Sequence, residues 1–263
     1  MALIPSVNPT ISQAEVIGFR FGDKGTHTSR TMMLDELRAV LDVTPATANR
    51  NAYATAIIDE NAAAKDTLST RKLSNQRLGE LYGLDQSIAV FRVMRRLWSD
   101  ADSSSRPLLA LLCAIARDPL LAGTLDAVVP LRAGQEFPRI EARSILRRAV
   151  GARLNEAILD KVVRNAASSW TQSGHLEGRT FKKRLLVKPT AWTVSYALYL
   201  GRAVGFRGEG LFSSGWMSVL DASPSEAQYL AQEAKRLGLI DLAISADVVD
   251  IGLDRLDPTS SGV

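Results

Sequence analysis

The sequence has very few of the residues from which metal centres and nucleophilic active sites are built. It contains one cysteine, Cys113, and two histidines, His27 and His175. One cysteine excludes an internal disulfide, and three such residues are too few for a structural zinc site, which needs four ligands. Cys113 lies in the apolar run LLALLCAIA, which we interpret as a helix at the centre of the core. A thiolate would be poorly solvated there. We therefore expect no metal and no cofactor.

Signals for catalysis and for membrane insertion are also missing. The chain has no Walker loop, no GxGxxG fingerprint and no HExxH motif, so nothing points to a catalytic residue. No uncharged apolar run reaches the roughly 18 residues that a transmembrane helix needs. The first residues lack the basic start and apolar block of a secretory signal. We expect a protein that is not an enzyme, has no membrane partner and is cytoplasmic.

Hydrophobic residues are plentiful enough for a sizeable core. The 263 residues are 46% hydrophobic and 23% charged, which is typical of a folded chain with room for two or three modules. Proline, glycine and polar residues predict a flexible N-terminal arm over 1–25. Helical apolar spacing without β-alternation predicts a helical bundle domain over 26–135.

The pattern changes after this bundle. A helix that stops at Gly151 and a longer helix precede GHLEGRTFKKRLLVKP, which alternates as two short strands around a basic turn. Helix, turn, helix and hairpin are the order of a winged helix-turn-helix, which we predict over 139–189. A related order predicts a winged-helix-like domain over 190–263. The expected fold class is mainly α, an N-terminal helical bundle followed by winged helix-turn-helix modules with short β-hairpins.

Positive charge is concentrated in the first of these modules. From Arg139 to Lys188 twelve basic residues oppose four acids, a net charge of +8, and five of the ten positions 179–188 are basic. Such clustering is typical of a polyanion-binding face, and a solvated surface with chance clustering is the alternative. The span 190–263 is acidic, with five basic and nine acidic residues and a net charge of −4. It would repel phosphate, so we expect it to contact protein.

Three groups of residues are candidates for nucleic-acid binding. The polar face of the longer helix would enter or flank the major groove, and the predicted wing would neutralise phosphates. A hydroxyl-rich helix start would clamp a phosphate with its backbone N–H groups, although an ordinary cap fits it equally well. The helix-face residues are Lys161, Arg164, Asn165 and Ser168, the wing residues are Arg179, Lys182, Lys183 and Arg184, and the helix-start residues are Lys65, Thr67, Thr70, Arg71 and Lys72.

Four motifs occur in order over residues 26–190: MLDELRAVL, AIIDENAAAKDTLSTRKLSNQRLGELYGLD, LLALLCAIARDPLL and SSWTQSGHLEG. This order resembles the BrxA family of the BREX phage-defence systems. The resemblance implies a small, non-catalytic, mostly helical protein that binds double-stranded DNA, in a defence operon with a methyltransferase and ATPases. Its matching positions would be Thr67, Thr70, Arg71 and the helix and hairpin over 161–184. The acidic C-terminal module departs from it, which leaves a divergent subtype or a different defence system open.

We expect double-stranded DNA as the main partner, with other defence-system proteins as further candidates. Two alternatives stay open, an assembly adaptor whose basic patch docks an acidic protein and an RNA-binding protein. The apolar content of 190–263 exceeds what a module of about 70 residues hides by itself. It predicts contact with a partner or a homo-oligomer through this domain. The large side chains concerned are Trp192, Tyr196, Tyr199, Phe212 and Trp216.

Overall fold

A computed structural model describes residues 3–245 and 248–258, with Val248 by its backbone alone. The expectations for residues 1–2, for Asp247 and for 259–263 lie outside this range. The chain is mainly helical with two small antiparallel hairpins, which confirms the mainly α class.

The helices are α1 (Ile11–Val16), α2 (Leu34–Val43), α3 (Arg50–Ile58), α4 (Leu68–Tyr82), α5 (Ala89–Asp100), α6 (Arg106–Arg117), α7 (Pro119–Ala122), α8 (Leu125–Val128), α9 (Arg139–Val150), α10 (Glu156–Gln172), α11 (Ala191–Ala203), α12 (Gly215–Val219) and α13 (Pro224–Arg236). The strands are β1 (Leu176–Glu177), β2 (Lys183–Arg184), β3 (Asp241–Ser245) and β4 (Val248–Gly252). Single 3₁₀ turns lie at Thr26–Thr28, Gly151–Arg153 and Gly208–Leu211.

Helix α6 lies at the centre of the core, as its sequence indicated. Every residue from Leu108 to Arg117 is buried, because α4, α5, α10 and α11 all pack against it. Cys113 is fully buried, and this burial raises the pKa of its thiol to about 11. The cysteine is therefore a packed side chain, held in its protonated form at neutral pH.

Several residues between 3 and 25 contact the core, so this segment is anchored to the fold and is not the free arm that the sequence predicts. The hydroxyl of Thr10 donates to the carbonyl of the last residue of α11 at 2.9 Å. The indole N–H of Trp216 donates to the carbonyl of Leu3 at 2.9 Å, and Phe19 is 4% exposed. The local composition indicated a loop, and it could not show that tertiary packing covers Phe19.

The three predicted modules share one continuous cluster of buried side chains. Helix α11, at the predicted 189–190 boundary, packs on α5 and α6, and the hydroxyl of Tyr196 donates to the carbonyl of Val90 at 2.9 Å. Arg92 of α5 also pairs with Asp257, which lies near the C-terminus, at 2.8 Å. The boundary therefore does not separate two independent cores, because α11 is buried on nearly every side and the bundle supplies part of its cover.

The apolar residues that led us to expect a partner for 190–263 are covered by the chain itself. Tyr196, Phe212 and Trp216 are at most 1% exposed, and Tyr199 is 9% exposed. Trp192 is half-buried and packs against the same core. The apolar content of 190–263 therefore gives no reason to expect a homo-oligomer through this domain.

In the described ranges, no single helix is long and apolar enough to cross a membrane. One bent pair, Arg106–Arg117 with Pro119–Val128, satisfies the length and composition criteria when both helices are taken together across their 104° bend.

Candidate nucleic-acid interface

Helix α10 presents one basic and polar edge to solvent. Its first turn is capped by Asn155, whose side-chain oxygen accepts from the amide of Ile158 at 2.9 Å. Its opposite face is buried through apolar residues at helical spacing, Leu159, Val162, Val163, Ala166 and Trp170. Lys161 and Arg164 are exposed on the outer face, where cations are available to a polyanion.

Asn165 lies at the border of this edge and is used inside the molecule. Its amide nitrogen donates to the carbonyl of His27 at 2.8 Å, and the side chain is half-buried. This contact joins α10 to the 3₁₀ turn at Thr26–Thr28, so Asn165 positions the helix rather than reading a groove. Ser168, one turn further, is half-buried and lines a cleft beside the hairpin.

Strands β1 and β2 form a minimal hairpin that a third segment extends. Leu176 pairs with Arg184 and Glu177 with Lys183, and Glu136 forms a bridge to Lys183 from the other side. The loop between the strands, residues 178–182, is hereafter the wing loop. Because β2 is bonded on both sides, the wing loop starts from a fixed base.

The cations of the predicted wing have different environments. Arg179 and Lys183 are exposed. Lys182 is half-buried, and its Nζ donates to the hydroxyl of Thr171 at 2.7 Å and to the carbonyl of Gly178 at 3.1 Å. Burial lowers the pKa of Lys182. Lys182 therefore braces the wing loop against α10, while Arg179 and Lys183 remain accessible to phosphate.

Arg184 is not available to a phosphate, and its assignment to the phosphate-binding set is wrong. Its side chain is 0% exposed and forms an ion pair with Asp221. Its Nε donates to the carbonyl of Val128 at 3.1 Å. Burial raises the pKa of Asp221, although Arg184 and the amide of Val187 both act to lower it. The guanidinium is thus a structural link between β2, α8 and the turn after α12.

A cleft of about 850 Å³ lies between α10 and the wing loop, hereafter the α10–wing cleft. Two arginines at its edge share one carboxylate, since Arg139 and Arg164 lie 2.7 and 3.3 Å from Asp160. The Arg139 hydrogen bond is the main influence that lowers the pKa of Asp160. One carboxylate cannot neutralise two guanidiniums, so the rim keeps a net positive charge. Four cations line the cleft against one lining acid, Glu136. The polar and aromatic lining comprises Glu136, Phe137, Arg139, Arg164, Ser168, Arg179, Thr180, Phe181 and Lys182.

The hydroxyl-rich helix start forms an ordinary cap, the alternative that the sequence left open. The hydroxyl of Thr67 accepts from the amide of Thr70 at 3.2 Å, and the Thr70 hydroxyl accepts from the amide of Thr67 at 3.3 Å. This reciprocal pair is a capping box for α4. Each hydroxyl accepts from the backbone amide of the other residue, so both amides have a partner without a phosphate.

The cations around this cap are mostly used internally. Lys65 pairs with Glu36 at 2.7 Å. The Nε of Arg71 donates to the carbonyl of Lys65 at 3.2 Å, and its Nη1 donates to the carbonyl of Ile58 at 3.4 Å. The phosphate-clamp assignment is therefore corrected for Lys65 and Arg71, which close the loop between α3 and α4. Lys72 is exposed.

A buried polar network fixes α10 to the rest of the fold. His27 contacts Asp118 through Nδ1 and Ser169 through Nε2, both at 2.8 Å. All three side chains are at most 1% exposed. Ser169 also accepts from the amide of Met32 at 2.8 Å and donates to the carbonyl of Asn165 at 3.0 Å. The order matches that of a Ser–His–Asp triad, but this serine hydroxyl is buried and fully used, so the arrangement is structural.

Asp118 is the charged member of this network. Burial acts to raise its pKa, and His27 together with backbone N–H groups lowers it, so the net direction is below the ordinary value. Its other oxygen caps α7 by accepting from the amides of Leu120 and Leu121 at 3.0 and 3.2 Å. No sequence pattern pointed to this network, because its members lie 91 and 142 positions from His27.

Among the described side chains, no group of three or more His, Cys, Asp or Glu residues is arranged to hold a metal ion. No family model and no curated protein matches the chain.

Proposed function

We propose that the module predicted over 139–189, together with α8 and the extended segment at 135–137 that precede it, forms a winged helix-turn-helix that binds double-stranded DNA without catalysing a reaction. The element order supports this proposal, since α8, the extended segment at 135–137, α9, α10 and the β1–β2 hairpin follow one another as helices and strands do in that fold. In this arrangement α10 is the helix that enters the major groove. The wing loop then lies over the adjacent backbone and minor groove.

The observation that carries the proposal is the basic rim of the α10–wing cleft. One sugar–phosphate strand separates the major groove from the neighbouring minor groove, so a helix and a wing that enter the two grooves must clasp that strand between them. The cleft lies at this place, and Arg164 and Arg179 line it from its two sides. Exposed Lys161 and Lys183 extend the positive charge beyond the cleft. Phosphate neutralisation is the main source of affinity for such a surface.

The salt dependence of duplex binding tests the proposal. The double variant Arg179→Ala/Lys183→Ala removes two exposed cations from the wing. It should flatten the slope of log affinity against log salt by about 2. A charge-matched control is Arg207→Ala/Arg236→Ala, which removes two exposed arginines from the C-terminal module and should leave the slope unchanged. Equal slopes in the wild type and the wing variant would remove the wing from the interface.

The same titrations separate the two alternatives. Tighter binding to an RNA duplex than to a DNA duplex of the same length would favour an RNA-binding protein. Saturation by an acidic protein, with no measurable duplex affinity, would favour the assembly adaptor.

We propose further that the protein is a cytoplasmic accessory component of a BREX-like phage-defence system. The order of the BrxA-like motifs supports this role, and other defence-system proteins would then be its partners. Plating phage on cells that carry the complete operon, with either the wild-type gene or the wing double variant, tests it. Equal plating efficiencies would argue against a defence role that depends on DNA binding.

We also propose that residues 190–258 are a second, winged-helix-like module that does not bind DNA. Helices α11, α12 and α13 are followed by the β3–β4 hairpin in the order of the first module. At least three of its acids are paired inside the chain, Asp221 with Arg184, Asp257 with Arg92 and Asp241 with Arg255. In α13 the acids Glu226 and Glu233 are balanced by Lys235 and Arg236. The net charge of −4 over the span 190–263 as a whole opposes the approach of a polyanion.

A further inference from the structure

The wing loop carries an aromatic side chain in a strongly basic setting. Phe181 is 70% exposed, and Arg179, Lys182 and Lys183 are its nearest cations along the chain. Turn chemistry does not account for a phenylalanine here, because tight turns favour glycine, proline, asparagine, aspartate and serine. Core packing does not account for it either, since most of its surface stays in water.

The loop that presents Phe181 is braced. Gly178 has a φ of +97°, and a Cβ at that position would collide with the carbonyl oxygen of Phe181, so the loop turns back tightly on itself. Lys182 then ties the loop to Thr171 of α10 at 2.7 Å and to the carbonyl of Gly178 at 3.1 Å. A side chain on a rigid loop loses little conformational freedom on binding, which favours its use as an anchor.

We propose that Phe181 is an apolar wedge that enters the minor groove of double-stranded DNA and unstacks one base step. This inference rests on the proposed function, because the wing must reach a duplex for the ring to enter it. Proteins that bend DNA from the minor groove insert phenylalanine and other apolar side chains in this way. The flanking cations Arg179 and Lys183 would hold the phosphates on either side of the opened step.

The charges around the ring favour DNA over an apolar protein surface. The two acids near the wing, Glu136 and Glu177, both lie beside Lys183 in the sheet. Glu136 also lines the cleft that Phe181 lines, where four cations, Arg139, Arg164, Arg179 and Lys182, outnumber it. An apolar protein partner would carry no negative charge to balance the cations around the ring. A phosphate backbone on both sides of the ring provides that compensation.

Duplex bending and affinity, measured together on the full-length protein, test the wedge. The probe is a short DNA duplex that carries a donor and an acceptor dye at its ends, so that bending raises energy transfer. We expect Phe181→Ala to weaken binding by roughly 5- to 150-fold, the range for loss of one aromatic–base stack. The bend should disappear and the salt slope should stay unchanged, because no charge is removed. Phe181→Leu, which keeps an apolar wedge, should retain most of the bend.

Tyr229→Ala is the matched control, because Tyr229 is also aromatic and is 60% exposed on α13 of the acidic module. It should change neither affinity nor bending. The thermal midpoint of each variant, which should match that of the wild type, shows that the exposed substitutions leave the fold intact.

The outcomes separate the wedge from the proposed function. A wild-type protein with no duplex affinity would remove both. Normal binding and bending by Phe181→Ala would overturn the wedge and leave DNA binding in place. Two further results are that the wild-type protein binds the duplex without bending it, and that Phe181→Ala binds more weakly with the bend unchanged. Either result would show that the ring contacts the surface of the groove without insertion.

Discussion

Arg184 of β2 and Asp221 of the turn before α13 form a buried ion pair that joins the proposed wing to the C-terminal module. The pair is completed by backbone groups, because Arg184 donates to the carbonyl of Val128 and Asp221 accepts from the amide of Val187. A charged pair that is satisfied in this way holds the orientation of two elements. The direction of the wing relative to α10 therefore depends on the second module as well as on the first.

Removal of Arg184 should destabilise the fold. Arg184→Ala leaves the carboxylate of Asp221 buried without its partner, which costs about 3 to 5 kcal/mol in the free energy of unfolding. Urea denaturation measures this loss. Lys183→Ala, at the neighbouring exposed position, should change stability by within about 0.5 kcal/mol. Equal stability of the two variants would show that Arg184 contributes no more than a surface cation.

The buried carboxylate of Asp118 should make stability depend on pH in the acidic range. Its pKa in the folded protein lies below the ordinary 3.8, so the unfolded chain binds its proton more readily than the native state does. The resulting contribution to stability is present above the unfolded pKa and is lost as the pH falls through the folded pKa.

Asp118→Asn should flatten this acid-side dependence in urea denaturation at a series of pH values. It should also lower stability at neutral pH, because the substitution breaks the buried contact with His27. Asp35→Asn serves as the control, since the side chain of Asp35 is 93% exposed. An unchanged acid-side slope in Asp118→Asn would assign the dependence to other carboxylates.

Arg71→Glu should reduce stability without affecting DNA binding. The substitution removes donors to the carbonyls of Lys65 and Ile58, which we expect to cost about 1 to 3 kcal/mol. The exposed neighbour Lys72 provides the comparison, because Lys72→Glu should leave stability within about 0.5 kcal/mol of the wild type. Denaturation and duplex titration of both variants check this. Weaker duplex binding by Lys72→Glu would place the start of α4 in the interface.

A chain that ends at Pro189 should fail to fold. Truncation there removes α11 and exposes the faces of α5 and α6 that pack against it. It also removes Asp221, the ion-pair partner of the buried Arg184. Solubility and the cooperativity of thermal unfolding by circular dichroism measure the effect. A soluble fragment with a single sharp transition would show that the first two modules have an independent core after all.

The local sequence pattern predicted an element correctly where the burial of that element alone determines its apolar spacing. The all-round apolar run of α6 predicted its central position. In α10 the predicted apolar stripe of Leu154, Ile158, Val162 and Ala166 was correct for Val162 and Ala166, which lie opposite Lys161 and Arg164. Ile158 is 37% exposed, and Leu159 takes the buried position instead. The mainly helical class follows from these patterns. They are visible in sequence because burial of a helix face repeats with the helical period.

Charge patterning was less informative, because a run of cations does not show which of them are buried. Arg179, Lys183 and Arg184 look equivalent in the sequence, yet the alternation along β2 turns Arg184 into the core and Lys183 towards solvent. Arg71 and Lys72 differ in the same way at the start of α4. Arg184 and Arg71 are distinguished by their partners, Asp221 and the carbonyl of Ile58. These partners belong to other segments of the chain.

The sequence by itself determined the mainly helical class, the two hairpins and the concentration of positive charge between Arg139 and Lys188. Each of these is a property of residues close together in the chain. Tertiary structure alone decided that Phe19 and its neighbours in the N-terminal segment pack on the core, that α11 belongs to the same core as α6, and that His27 contacts Asp118 and Ser169. Such contacts join residues far apart in the chain. Their strength comes from burial and from geometry in three dimensions, which no local window of sequence contains.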